Sequence, residues 1–81
     1  MRVLLTGGYG CIGSWIARAL LNAGHPIWIY DLKEDAHRLR LLLDDEQLRQ
    51  IGFLAGDVTD LPRLRECVEQ QQISHILHLA G

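Results

Sequence analysis

Apolar positions along this chain follow two rhythms, short unbroken runs and longer repeats with helical spacing. Val3-Leu4-Leu5 is an unbroken run closed by Thr6 and Gly7-Gly8. Such a run suits a strand buried on both faces of a parallel sheet. Ile12, Trp15, Ile16, Ala19, Leu20 and Ala23 then recur as on a helix that buries one stripe, which puts Trp15 in the core. Gly24 is placed to end that helix, and Pro26 blocks its continuation. Ile27-Trp28-Ile29-Tyr30 is a second buried-strand run, stopped by Asp31. From about residue 34 to residue 49 the chain is charged, with Ala36, Leu39, Leu42 and Leu43 marking one apolar side of helical structure. Asp44-Asp45-Glu46 is a possible interruption, so one helix or two fits. Ile51-Gly52-Phe53-Leu54-Ala55 reads as a third strand, weakened by its glycine. Leu61, Leu64, Cys67 and Val68 mark a third helix, capped by Asp60 and tolerating Pro62 in its first turn. Ile76-Leu77-His78-Leu79-Ala80 is a fourth strand, followed by Gly81.

Strands alternating with helices through short connections imply an α/β fold with a parallel sheet and right-handed crossovers. Four strands in the expected order 3-2-1-4 make a partial doubly wound sheet of the Rossmann type, lacking its far side. No repeat, low-complexity tract or linker divides residues 1–81.

Composition narrows the function classes. The chain is 48% hydrophobic and 22% charged with a net charge of −2, a balance that disfavours disorder and provides no basic footprint for nucleic acid or an anionic membrane. Cys11 and Cys67 show neither metal-ligand spacing nor a Cys-x-x-Cys pair, so reduced thiols and a cytoplasmic location are expected. The first apolar run is too short for a signal-peptide core, and no run reaches membrane-spanning length.

The segment between the first strand and first helix carries the chemistry. Gly7, Gly10 and Gly13 form G-x-x-G-x-x-G, and Gly8, Gly10 and Gly13 also fit G-x-G-x-x-G. In such a loop one glycine permits a tight turn, one lets a pyrophosphate approach the backbone, and one lets helix and strand pack closely. The free N–H groups and positive dipole end of the helix then face the phosphates. A glycine triplet alone is a weak signal, but the flanking strand and helix patterns supply its context. A P-loop is ruled out, because Ser14 stands where the phosphate-binding lysine belongs.

Asp31 lies eighteen residues beyond Gly13, near the roughly 20-residue offset of a ribose-binding acid. A carboxylate there accepts from both adenosine ribose hydroxyls and repels a 2′-phosphate, favouring NAD over NADP. The competing reading is a simple cap on the following segment, and Lys33 and Arg38 are close enough in sequence to offset some of that repulsion.

The opening Met1-Arg2-Val3-Leu4-Leu5-Thr6-Gly7-Gly8-Tyr9-Gly10-Cys11-Ile12-Gly13-Ser14 resembles that of extended short-chain dehydrogenase/reductases. Within them it is most similar to the NAD-dependent epimerase/dehydratase family, whose members include nucleotide-sugar epimerases. Asp31, Gly56-Asp57-Val58 and His78-Leu79-Ala80-Gly81 agree in order and spacing. The resemblance implies that Gly7, Gly10, Cys11, Ile12 and Gly13 surround the pyrophosphate and that Asp31 holds the adenosine ribose. It further implies that Asp57 and Val58 contact adenine, the Asp57 carboxylate accepting from the amino group, and that Leu79, Ala80 and Gly81 line the nicotinamide-side ribose. Cys11 departs from the aromatic residue common at its position.

By the same resemblance, catalysis needs a Tyr-x-x-x-Lys pair with a Ser or Thr beyond the fourth strand. Tyr9 and Tyr30 are the only tyrosines, and neither has a lysine four residues on. The chain therefore reads as the N-terminal, NAD-binding part of an enzyme whose catalytic and nucleotide-sugar-binding regions lie elsewhere. Two alternatives are a non-catalytic NAD-binding sensor or interaction module and a truncated product without activity. An unpaired fourth-strand edge would make the isolated chain marginally stable, with homodimerisation through that edge as relief. His75 and His78 should point to opposite faces of their strand, and Asp44, Asp45 and Glu46 suit a solvated helix face, so no metal site is expected.

Overall fold

The computed structural model describes residues 1–79. Its first strand, β1 (Val3–Thr6), is buried at every position, as its unbroken apolar run requires. It lies between β2 (Ile27–Asp31) and β4 (His75–His78), and β3 (Ile51–Ala55) extends the sheet beyond β2. All pairings are parallel and the order is β3-β2-β1-β4, a Rossmann-type arrangement. Register aligns Thr6 with Tyr30 on one side and His78 on the other, so the strand ends share one rim.

Strand alternation divides the core in two. Val3, Leu5, Ile27 and Ile29 pack on one face with Ala17 of α1 (Cys11–Asn22) and Leu39 of α2 (Leu39–Leu42). Leu4 and Tyr30 pack on the other with Cys67 of α4 (Leu61–Gln70). Burial pushes the Cys67 thiol up from its usual pKa.

Helix α1 forms as its periodicity predicts and ends as predicted. Gly24 takes φ +85°, His25 N–H donates to Leu20 O and Gly24 N–H to Leu21 O, the pair of bonds that closes a Schellman C-terminus. Its buried face is rotated from the apolar stripe, of which Ile16 and Leu20 still pack half-buried against the core. Gly13, Ser14 and Ala17 point inward, whereas Ile12 is 73% and Trp15 54% exposed. The placement of Trp15 in the core is thus corrected. A Cβ on Gly13 would stand 2.8 Å from Gly7 O and from Gly8 Cα, so only a small-residue face can dock this closely.

The charged middle segment resolves into two short helices, beginning at Leu39 rather than near residue 34. Leu43 is extended after α2, and Asp44 starts α3 (Asp45–Arg49) with a capping box, its carboxylate accepting from Gln47 N–H. Asp44 thus caps, while Asp45 and Glu46 occupy the exposed first turn, where acids suit the helix dipole. Gly52 does not break β3, because the Trp28 indole fills the space where a Cβ would lie. Asp60 caps α4 by accepting from Arg63 N–H at 3.1 Å, with Pro62 in the first turn.

Candidate functional site

The carboxyl ends of β1, β2 and β3 open onto a cleft of about 190 Å³, lined by Gly7, Tyr30, Asp31, Leu32, Gly56, Asp57 and Val58. Gly7, Asp31, Asp57 and Val58 were singled out from the sequence, and the fold brings these four together at the ends of three strands. The chain turns back across the sheet between β1 and β4, on the far side of β1 from this cleft. Open α/β sheets bind ligands outside the strand ends at such a reversal, which the loop after β1 joins to the cleft. A larger hollow along α4, lined by Leu61, Pro62, Arg65, Glu66 and Glu69, contains none of the expected residues.

Each glycine of the loop answers a different demand. Gly7 takes φ +75°, which side chains other than glycine rarely adopt, and its carbonyl accepts from Gly10 N–H at 3.2 Å. Gly13 gives the close approach already described. Gly10 is demanded by neither: its φ is −72°, and an added Cβ would meet only Gly7 O, at an ordinary 3.5 Å. Gly10 is the N-cap of α1, no side chain caps that end, and no acid occupies the first turn. The N–H groups of Cys11, Ile12 and Gly13 therefore meet the helix's positive end without a built-in anion. Exposed Cys11 also borders a separate apolar hollow with Trp15, Arg38 and Leu41.

Asp31, half-buried at the end of β2, accepts Leu32 N–H on Oδ1 at 2.7 Å. That local bond leaves Oδ2 available. Asp57 is exposed, and its Oδ1 accepts both the Thr59 N–H at 2.9 Å and the Thr59 hydroxyl at 2.8 Å. These two bonds hold its carboxyl below the usual carboxylate range, so it serves as an acceptor at neutral pH. Beneath it, Tyr30 donates its hydroxyl to Asp57 O at 2.8 Å. Burial, then the nearby Asp60 carboxylate, pushes the Tyr30 phenol up and keeps it a donor. Tyr9 in the glycine loop is likewise pushed up, first by burial and then by Glu34, Asp31 and Asp35.

Leu79 leaves β4 beside the loop, its N–H donating to Thr6 O at 2.8 Å. Ala80 and Gly81, the other two residues expected near the nicotinamide-side ribose, lie outside the described residues. Beside this bond the buried Thr6 hydroxyl pairs with His78 Nδ1 at 2.5 Å, tying the last residue of β4 to the last residue before Gly7. His75 instead meets Ser74 Oγ at 2.8 Å, and the two histidines share no ligand. Among the described residues no cluster of three or more His, Cys, Asp or Glu is arranged to hold a metal.

Uncapped N–H groups, a left-handed glycine and a strand-end carboxylate on one rim are the features a dinucleotide cradle requires. The model of the NAD dependent epimerase/dehydratase family matches residues 3–81. The chain belongs to this family. Among epimerase/dehydratase relatives, UDP-glucose 4-epimerase of Klebsiella pneumoniae is 36% identical over 83 residues, covering all of this chain and 59% of its own length. That of Neisseria gonorrhoeae is 35% identical over 82 residues, and this chain spans 24% of it. The crystal structure of UDP-glucose-4-epimerase from Stenotrophomonas maltophila, with bound NAD and formylated UDP-arabinopyranose, superposes with a TM-score of 0.81 at 31% identity. It covers all of this chain, which spans 24% of that enzyme. This epimerase/dehydratase chain thus corresponds to only part of each relative.

Sequence reasoning overlooked two contributors to the rim. Tyr30 reads as one more apolar strand residue, and Thr6–His78 joins residues 72 positions apart. Parallel pairing of the first and fourth strands was a usable signal for the latter, since it sets Thr6 opposite His78.

Proposed function

We propose that this chain holds NAD(H) and forms the N-terminal, cofactor-binding portion of a longer NAD-dependent nucleotide-sugar epimerase or dehydratase. The convergence of Gly7, Asp31, Asp57 and Val58 on one cleft, beside the uncapped N-terminus of α1, carries this reading. Family membership supports it, as does the NAD bound in the Stenotrophomonas enzyme.

In this reading the main-chain N–H groups of Cys11, Ile12 and Gly13 bind the pyrophosphate, with Gly7 and Gly10 admitting it to the backbone. The Asp31 carboxylate accepts from the adenosine ribose hydroxyls and disfavours a 2′-phosphate. Val58, 36% exposed at the cleft, packs against adenine while Asp57 accepts from its amino group. Leu79 borders the nicotinamide-side ribose. When bound, NAD supplies a hydride acceptor for sugar chemistry. The acid/base tyrosine–lysine pair and the nucleotide-sugar site belong to the longer protein, which we place in the cytoplasm on the strength of two unpaired thiols.

Calorimetric titration tests the reading. NAD should bind the wild-type protein more tightly than NADP, and Asp31→Ala should weaken NAD by about tenfold or more through lost charge-assisted hydrogen bonds. Absence of NAD and NADH binding, or an unchanged affinity in Asp31→Ala, overturns it.

A further inference from the structure

We propose that Tyr30 is a positioning residue for Asp57 and thereby sets the preference of the cleft for a base bearing an exocyclic amino group. This inference rests on the NAD-binding reading above. Tyr30 is fully buried, packs with Leu4 and Cys67 and lines the cleft. There it donates to Asp57 O at 2.8 Å. The same carbonyl accepts Asp60 N–H at 3.0 Å, which closes the 57–60 turn upon itself. Tyr30 ties that turn to the core.

Gly56 completes the fit. A Cβ there would overlap the hydroxyl end of Tyr30, so glycine at 56 is what admits a tyrosine beneath the chain. Asp57 is then held from both sides, its carbonyl by a buried phenol and its Oδ1 by Thr59. Oδ2 has no partner among the described residues. A carboxylate oxygen accepts from an amino group and repels a carbonyl oxygen. A fixed acceptor of this kind discriminates against an analogue that cannot donate to it. Released from Tyr30, the exposed turn lets the carboxylate swing toward solvent and the discrimination fades.

The test compares NAD with nicotinamide hypoxanthine dinucleotide, in which oxygen replaces the adenine amino group. Both are titrated into the wild-type protein, Tyr30→Phe, Gly56→Ala and Asp57→Ala. Wild type should favour NAD by about tenfold, the size of one well-placed hydrogen bond to a charged group. Tyr30→Phe should reduce that ratio to about twofold by weakening NAD alone, and Gly56→Ala, which displaces the phenol, should do the same. A purely structural role for Tyr30 lowers affinity for both dinucleotides and leaves the ratio intact. A preserved ratio in whichever of the two variants folds, as judged by thermal melting, overturns the inference while leaving the NAD reading standing. Equal wild-type affinities, or a ratio unchanged in Asp57→Ala, remove the role of Asp57 and the inference with it. Failure of wild type to bind either dinucleotide overturns both.

Discussion

Gly10 and Gly13 sit three residues apart in one motif, yet they answer to different partners. At Gly13 a side chain would collide with Gly7 O and Gly8 Cα at 2.8 Å, and backbone atoms cannot move aside as a flexible side chain can. Gly13→Ala is expected to destabilise the protein by about 1–3 kcal/mol, the range for overpacking a tight contact, and to weaken NAD as well. Gly10 has no such internal constraint. Serine there is a better N-cap than no side chain, so Gly10→Ser should leave stability within about 0.5 kcal/mol of wild type or raise it. Its hydroxyl would nonetheless occupy the N–H groups and space proposed for the pyrophosphate, weakening NAD. Urea unfolding and NAD titration of both variants separate the roles. Equal losses of stability would refute the distinction. Much of this was legible in the sequence, because glycine spacing reports backbone constraint directly. Which glycine serves the fold and which serves a ligand was not, since that depends on what stands within 4 Å of each.

Helix α1 shows how a correct element can carry a partly incorrect face. The apolar stripe of Ile12, Trp15, Ile16, Ala19, Leu20 and Ala23 maximises hydrophobicity, but close docking of the glycine loop buries Gly13, Ser14 and Ala17 deepest. It keeps Ile16 and Leu20 half-buried against the core and leaves the other four exposed. Trp15 lies outside, with Arg18 5.5 Å from its ring. Trp15→Ser should therefore cost about 1 kcal/mol or less, chiefly the exposed cation–π contact, against the roughly 3–5 kcal/mol of a core aromatic truncation. Chemical denaturation distinguishes these values, and a cost near the upper figure would restore Trp15 to the core. The capping signals fared better. Gly24, Asp60 and Pro62 act locally, so their meaning survives whatever the rest of the chain does. Asp44 is also a local cap, but its neighbours Asp45 and Glu46 disguise it as part of a charge run.

Across the whole molecule the sheet is unevenly protected. β1 is buried throughout and paired on both sides, whereas β4 is exposed at all four positions and, among the described residues, pairs with β1 alone. Ile76 is 46% and Leu77 38% exposed, the exposed apolar edge anticipated from the strand count. Amide protection follows burial and the number of hydrogen-bonded neighbours. Hydrogen exchange followed by mass spectrometry should find the β4 amides exchanging well before those of β1 and β2. Equal protection of β4 and β1 would show that another surface covers this edge in solution. Bonds fasten β4 to β1 at both ends, from Ser74 and His75 to Arg2 at one and from Leu79 and His78 to Thr6 at the rim where the glycine loop begins.

By itself the sequence determined the α/β alternation, the parallel 3-2-1-4 order, the end of α1, the start of α4 and the glycine loop with its following acid. Each is written in short-range spacing or in the limited ways a right-twisted chain can connect parallel strands. Only the tertiary structure decided that α1 turns its small residues inward and that Asp31 and Asp57 border one cleft. It alone set Tyr30 beneath Gly56 and closed the side-chain bond between Thr6 and His78. Those outcomes depend on volumes and contacts between residues far apart in the chain, and hydrophobic periodicity, which ranks residues by polarity alone, carries no record of them.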